Sequence, residues 1–439
     1  MASLFFVSFS YLFAQEEIKK DSVKNYEFNI FDGTLDSFTM RQMNQNYLSV
    51  SRIVNRTIET IFYDTKLFGI NVSEIINFLW PNLINPITHE EGHRSILTAK
   101  GIGSISQPFY RNGAAYVKGV TDKTLIDFRD TDRASFIRMY TAGIESDYMM
   151  FIREEKMAAF ELDKYSVLYP DYLLRRVMVS GYLAAGIMYW DADNYGGFYE
   201  WFIEASGMNL VEEENEFMRD ICGFDTFGAT KALFEDDYVF KRYTQYSDFN
   251  EEEKEFIAKR IGLRAYLNFL CPWLYRESKP NFIIGDKVAL SGSVGYALAP
   301  FGDFIDENGY FKYRTDSLGD LNFHFYARQA ENYDTWYPAF GLSLVEFQPF
   351  DWLSLTSGVH LWWQPEDLKF FTDESFFGGA FELTAKFVLP LRLFPSEKES
   401  FIKGFGIVTS VLVKTEGFLP EIEQHGKHFR FSMGLETRF

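Results

Sequence analysis

Apolar residues change their spacing near residue 280. Upstream they recur at the three- and four-residue intervals of a helix. Downstream they alternate with polar residues, the period of a strand with two unlike faces. Phe381, Leu383, Ala385, Phe387, Leu389, Leu391 and Leu393 share one face, and Glu382, Thr384, Lys386 and Arg392 the other. The same alternation runs through Val288–Leu298, Leu321–Arg328 and Leu353–Trp363. The pattern gives seven clear strands; since an even number suits a barrel, about eight are expected, the eighth lying either within Gly309–Arg314 or in an irregular first hairpin. Tight turns are expected at Gln348–Asp351 and Pro395–Lys398, and longer charged loops at Gln364–Ser375 and Glu416–Lys427. Upstream, Tyr172–Trp190 and Phe256–Tyr275 are apolar stretches that predict helices. They carry Arg175 and Arg176, or Arg260 and Arg264. A charge at mid-bilayer costs about 2.5–3.5 kcal/mol, so they fit helices in a core or against a membrane better than helices crossing one.

The alternating strands are long, near the ten or so residues that a tilted transmembrane strand requires. Alternation of short turns with long loops also suits an outer-membrane barrel. In the final segment Phe429, Phe431, Met433, Leu435 and Phe439 share one face, and Arg430, Glu436 and Arg438 the other. A last strand ending in Phe resembles the C-terminal signal of bacterial outer-membrane barrels. In lipid every backbone group must be paired, which a closed barrel achieves.

Composition points the same way. Aromatics make up 18% of the 439 residues, with 47 Phe and 26 Tyr, a load that suits interfacial girdles. The net charge of -19 excludes nucleic acid as a partner, since phosphate contacts need Lys and Arg. Leu4–Phe13 is an apolar run too short to span a bilayer, followed by Ala14-Gln15 and an acidic stretch. It reads as a secretory signal peptide over residues 1–15, although no Lys or Arg precedes it. The junction resembles those of exported proteins of the Bacteroidota. Only Cys222 and Cys271 are present, and their spacing leaves open whether they pair.

The chemistry concentrates in His89-Glu90-Glu91-Gly92-His93. Asn85-Pro86 is expected to open a helix there and Gly101 to end it. Histidines four apart on one helix face can share a zinc ion, and Glu90 beside them can activate a zinc-bound water. Of the six histidines, the other four (His324, His360, His425 and His428) lie in the strand-rich part. The third protein ligand should therefore be a carboxylate, unless a barrel histidine reaches across. Ala142 and Gly143 would let a second helix approach closely. Glu145 on that helix is the expected third ligand; Asp147 is the alternative, or else a partner holding a ligand histidine. Asn112-Gly113 predicts a hairpin whose edge could take an extended peptide by strand addition.

The order of HExGH helix, hairpin and Ala-Gly-x-Glu helix resembles gluzincin-type metallopeptidases, over roughly residues 82–155. The usual Glu followed four residues later by Asp is absent; here the gap is two. The resemblance implies zinc held by His89, His93 and an acidic residue, with Glu90 as catalytic base. The expected architecture is α+β: a mostly helical zincin-like domain over 16–280, then an antiparallel transmembrane β-barrel over 281–439. The expected function is a zinc peptidase anchored in the bacterial outer membrane, in contact with its lipid, with the catalytic domain in the periplasm. Two other readings are a channel or assembly barrel with a structural or inactive HExxH site, and a zinc hydrolase of lipid or cell-wall amides.

Overall fold

The computed structural model describes residues 24–34, 38–67, 70–111, 114–195, 214–234, 239–275, 282–316, 318–390 and 404–438. The leader expected at residues 1–15, the turn expected at Pro395–Lys398 and Phe439 lie outside them. Strand β1 (Asn25–Asp32) precedes helices α1 (Met40–Ile61), α2 (Val72–Leu79) and α3 (Pro86–Ala99). Next come the hairpin strands β2 (Ile105–Arg111) and β3 (Ala114–Lys118). Helices α4 (Asp122–Thr131), α5 (Arg133–Ala159), α6 (Tyr165–Tyr195) and α7 (Asp225–Phe234) follow. After short helical segments between Tyr246 and Leu274, the chain is mainly strand: β4 (Phe282–Ile284), β5 (Val288–Ala299), β6 (Gly302–Thr315), β7 (Gly319–Glu331), β8 (Trp336–Phe350), β9 (Leu353–Pro365), β10 (Ser375–Pro390), β11 (Gly404–Lys414) and β12 (His428–Arg438).

The expected α+β division into a helical part and a strand-rich part is present. Phe256–Tyr275 is not one helix, however. It breaks into a π-helix, Phe256–Gly262, and two 3-10 turns, Ala265–Phe269 and Pro272–Leu274.

Ten of these strands, against the eight or so expected, form one antiparallel sheet in the order β1-β12-β11-β10-β9-β8-β7-β6-β5-β4, because β1 joins from the N-terminal part and a short β4 precedes β5; β2 and β3 pair separately. The chain's first strand thus lies on its last, from Asn25 opposite Arg438 to Asp32 opposite Ser432. The sheet is inside-out relative to a soluble one. On β12, Phe429, Phe431, Met433 and Leu435 are exposed, while Arg430, Ser432 and Glu436 are buried. On β8 to β10, Phe340, Leu342, Val359, Leu361, Phe377 and Phe381 are exposed too.

The helices cover the polar face. Helix α5 runs along β6: Tyr148 donates to Asp306 (2.8 Å), Glu155 accepts from Tyr310 (2.8 Å), and the Phe160 carbonyl accepts from Lys312 (3.2 Å). Residues of both parts share one apolar core, including Met139, Ile144, Phe151, Tyr296, Phe304 and Phe418. The change near residue 280 is therefore a change of secondary structure within shared packing.

Side chains of helical segments bond to β1 at one edge of the sheet and, at the other, to the stretch of β5 that β4 leaves uncovered. The Asn46 carboxamide accepts from Asn29 N (2.7 Å) and donates to Asn29 O (3.0 Å). Gln42 donates to Asn29 O and Ile30 O, and Gln45 and Ser49 to Glu27 O. At the other edge the Asn268 carboxamide accepts from Tyr296 N (2.8 Å) and donates to Tyr296 O (3.0 Å). Arg176 donates to Val294 O (2.9 Å). Each asparagine thus exchanges two hydrogen bonds with a strand residue, as a neighbouring strand would.

Candidate metal centre

Pro86 stands at the first position of α3, as expected. Asn85 does not cap the helix. Its backbone is itself helical, continuing from the turn Pro81–Ile84, and its side chain makes no capping bond. Gly101 adopts φ +73° and ends the helix as expected, with Gly101 N bonded to Thr98 O and Ile102 N to Leu97 O; this closes otherwise orphaned carbonyls.

Glycines bring α3 and α5 together. A Cβ on Gly92 would lie 2.4 Å from Ala142 O. A Cβ on Gly143 would lie 2.4 Å from His93 Nε2 and 2.5 Å from His89 Nε2. Neither methyl fits, so the two helices can touch only where both residues are glycine.

The space left by Gly143 is where the imidazoles converge. His93 Nδ1 donates to Met139 O (2.6 Å), and His89 Nδ1 donates to Asp147 Oδ2 (2.8 Å). Both Nε2 atoms are thereby directed inward. Asp225, the first residue of α7, places Oδ2 3.1 Å from His89 Nε2 and 3.4 Å from His93 Nε2. Ligands at 2.0–2.2 Å on the corners of a tetrahedron lie about 3.3–3.5 Å apart. His89, His93 and Asp225 form the potential metal-binding group among the described residues. Three ligands leave one coordination position free.

Met139, Gly143 and Asp147 follow at four-residue intervals and face α3 as one stripe. Glu145, two residues from Gly143, points elsewhere. It accepts from Arg138 through both oxygens (3.0 and 2.7 Å) and from Glu421 N in the β11–β12 loop (2.7 Å). The carboxylate set against the histidines is thus Asp225 and not the expected Glu145. Asp147 takes the position of histidine partner. Arg175 anchors Asp147 from behind at 2.5 Å, and also donates to Thr88 Oγ1 and Asp171. Asp225 lies far along the chain, outside any motif spacing; its place at a helix start is the only local signal.

Three of the four histidines of the strand-rich part have other partners: His324 bonds Asn308, His360 bonds Tyr326, and His425 bonds Ser135. Cys222 and Cys271 are separate buried thiols, with Cys222 Sγ 3.5 Å from His93 Nδ1. The hairpin strands β2 and β3 pair as expected, with Ile105 opposite Lys118 and Arg111 opposite Ala114; the turn itself lies outside the described residues.

Burial shapes the electrostatics. It pushes the Glu90 carboxyl up to about 8, with His89 and His93 opposing and Asp220 and Asp225 adding to the rise. Burial and the neighbouring Asp225 push Asp220 up to about 6. Burial alone would also raise Asp225, but His93 and His89 hold it well below the usual carboxylate range. The ring of His89 stacks on Tyr182, with centroids 5.1 Å apart. Comparison of the chain with protein-family models and with curated protein sequences finds no match.

Proposed function

We propose that the protein is a zinc-dependent hydrolase, acting on peptide bonds, held in a bacterial outer membrane by its sheet. One observation carries the enzymatic part: two imidazole Nε2 atoms and the Asp225 carboxylate converge beside Glu90. Zinc held by His89, His93 and Asp225 would supply Lewis acidity, polarising an amide carbonyl and acidifying water. Met139 O and Asp147 hold the imidazoles in the ligating orientation. Glu90, in surroundings that raise its proton affinity, accepts a proton from water and delivers it to the leaving nitrogen.

The membrane part is supported by the exposed apolar face and buried polar face of the strands, the pattern of a wall between lipid and a polar interior. None of the helices among the described residues is long and apolar enough to cross a membrane.

The register of α5 supports a sidedness other than the one expected from the sequence. Tyr148 lies level with Asp306 near the start of β6, and Met139–Asp147 lies beyond it, towards the end carrying the β9–β10 and β11–β12 loops. Asn25 and Arg438 lie at the opposite end. If that end is periplasmic, the metal centre sits towards the cell surface. We therefore propose the cell-surface side in place of the periplasm.

Elemental analysis tests the metal: about one zinc per chain is expected, and its absence overturns the reading. Glu90→Gln should keep the zinc and lose cleavage of a peptide library. One observation favours a second reading, a structural metal site in an inactive protein: His93 is 2% and Asp225 4% exposed. Cleavage unchanged by Glu90→Gln, or absent from the zinc-loaded protein, would favour it.

A further inference from the structure

The strands are not the only inside-out elements. On α1 the buried side chains are mostly polar: Gln42, Asn44, Ser49, Ser51, Arg52 and Asn55. Its exposed positions are Val50, Thr57, Thr60 and Ile61, with Met43, Ile53 and Val54 partly exposed, and its charged side chains are buried or only partly exposed. On α6 the charged Asp171, Arg175 and Arg176 are fully buried. Leu174, Val177 and Met178, on its other side, are partly exposed. In the irregular stretch before the sheet, Leu263, Tyr266 and Leu270 are exposed at 56, 52 and 66%, while Asn268 between them is buried.

These three elements are the ones that clip to the sheet edges. Helix α1 holds β1 through Asn46, α6 holds β5 through Arg176, and Asn268 holds β5 through its carboxamide. Their apolar faces therefore continue the apolar outer face of the strands across the gap between β1 and β5. At 22 residues, α1 is about 33 Å long, close to the roughly 30 Å of a hydrocarbon core.

We infer that α1, α6 and residues 263–270 form a helical panel of the membrane wall, with their outer faces against lipid acyl chains. The inference rests on the outer-membrane reading above. A wall in lipid cannot leave strand edges unpaired. Here the amide side chains of Asn46 and Asn268 supply the pairing that a further strand would otherwise give.

The test uses the full-length protein in dimyristoylphosphatidylcholine vesicles, with a nitroxide on single added cysteines. Cys222 and Cys271 are buried and leave a low labelling background. Labels go on Val50→Cys and Leu270→Cys, with Phe340→Cys as the sheet-face reference and Lys123→Cys as the aqueous reference. Collision with oxygen should exceed collision with a nickel chelate by several-fold at positions 50, 270 and 340, and the reverse should hold at 123. If 340 meets lipid while 50 and 270 meet water, the panel is overturned and the membrane reading stands. If 340 also meets water, both fall. Spin–spin broadening at 50 and 270 would show a second copy of the chain on this face, and overturn lipid as the occupant.

Discussion

Gly143 and His93 approach so closely that a methyl group on the glycine would overlap the imidazole Nε2, at 2.4 Å. The missing side chain makes the volume in which two imidazoles and a carboxylate meet. Gly143→Ala should therefore abolish zinc binding while the protein stays folded, at a packing cost of about 1–3 kcal/mol. Gly92→Ala, against Ala142 O, should part the helices and lower zinc content as well. Metal analysis together with a thermal melt separates these outcomes, and normal zinc in Gly143→Ala would refute the arrangement.

Asp225 and Glu145 make opposite predictions. Asp225→Ala should reduce zinc from about one per chain to near none. Glu145→Gln should retain it, because Glu145 is bound to Arg138 and the β11–β12 loop. That variant should instead lose stability, since removing one partner of a buried pair costs roughly 3–5 kcal/mol. Zinc lost from Glu145→Gln but kept by Asp225→Ala would restore the ligand set expected from the sequence.

Asp147 orients His89 without reaching the metal position. Asp147→Asn should weaken zinc binding about 10- to 100-fold, the usual range for a partner of a ligand. Competition with a chromophoric chelator reads this directly. An unchanged affinity would show that the His89 orientation is fixed by packing on Tyr182 alone.

Acid should loosen the junction between α5 and α6. Burial alone would push Asp163 up, but Arg52 and Arg56 outweigh it and hold the carboxyl below its ordinary value. A depressed carboxylate stabilises the fold above its unfolded value of about 3.9. That stability is lost as pH falls through the lower folded value. Asp163→Asn should lower the melting temperature at pH 7 and flatten the acid limb of the stability curve. An acid limb identical to that of the unmodified protein would exclude Asp163 as its source.

The proposed cell-surface placement is open to a direct measurement. Lys123 on α4 is 82% exposed in its side chain and belongs to the helices beyond the loop end of the sheet. A cysteine placed there should react with an impermeant maleimide on intact cells. Protection until the outer membrane is permeabilised would return the helical part to the periplasm.

Local pattern carried a good deal of this protein. Alternation placed the strands and their two unlike faces, because side-chain direction in a strand depends only on parity. It also placed the turn near Asp351, the long loops before β10 and β12, and both histidines on one face of α3. What it could not determine was the meeting of distant elements. Asp225 joins His89 across a separation of 136 residues, and no local periodicity encodes such a contact. Glu145 and Asp147 differ only in helical phase against α3, which the Gly92–Gly143 contact fixes. The pairing of β1 with β12 and the clipping of both sheet edges by Asn46 and Asn268 were likewise decided by tertiary structure. Unpaired edge amides must find partners wherever the fold brings them, and the chain met that demand with side chains of α1 and of the 3-10 turn Ala265–Phe269, which folding lays against the strand edges.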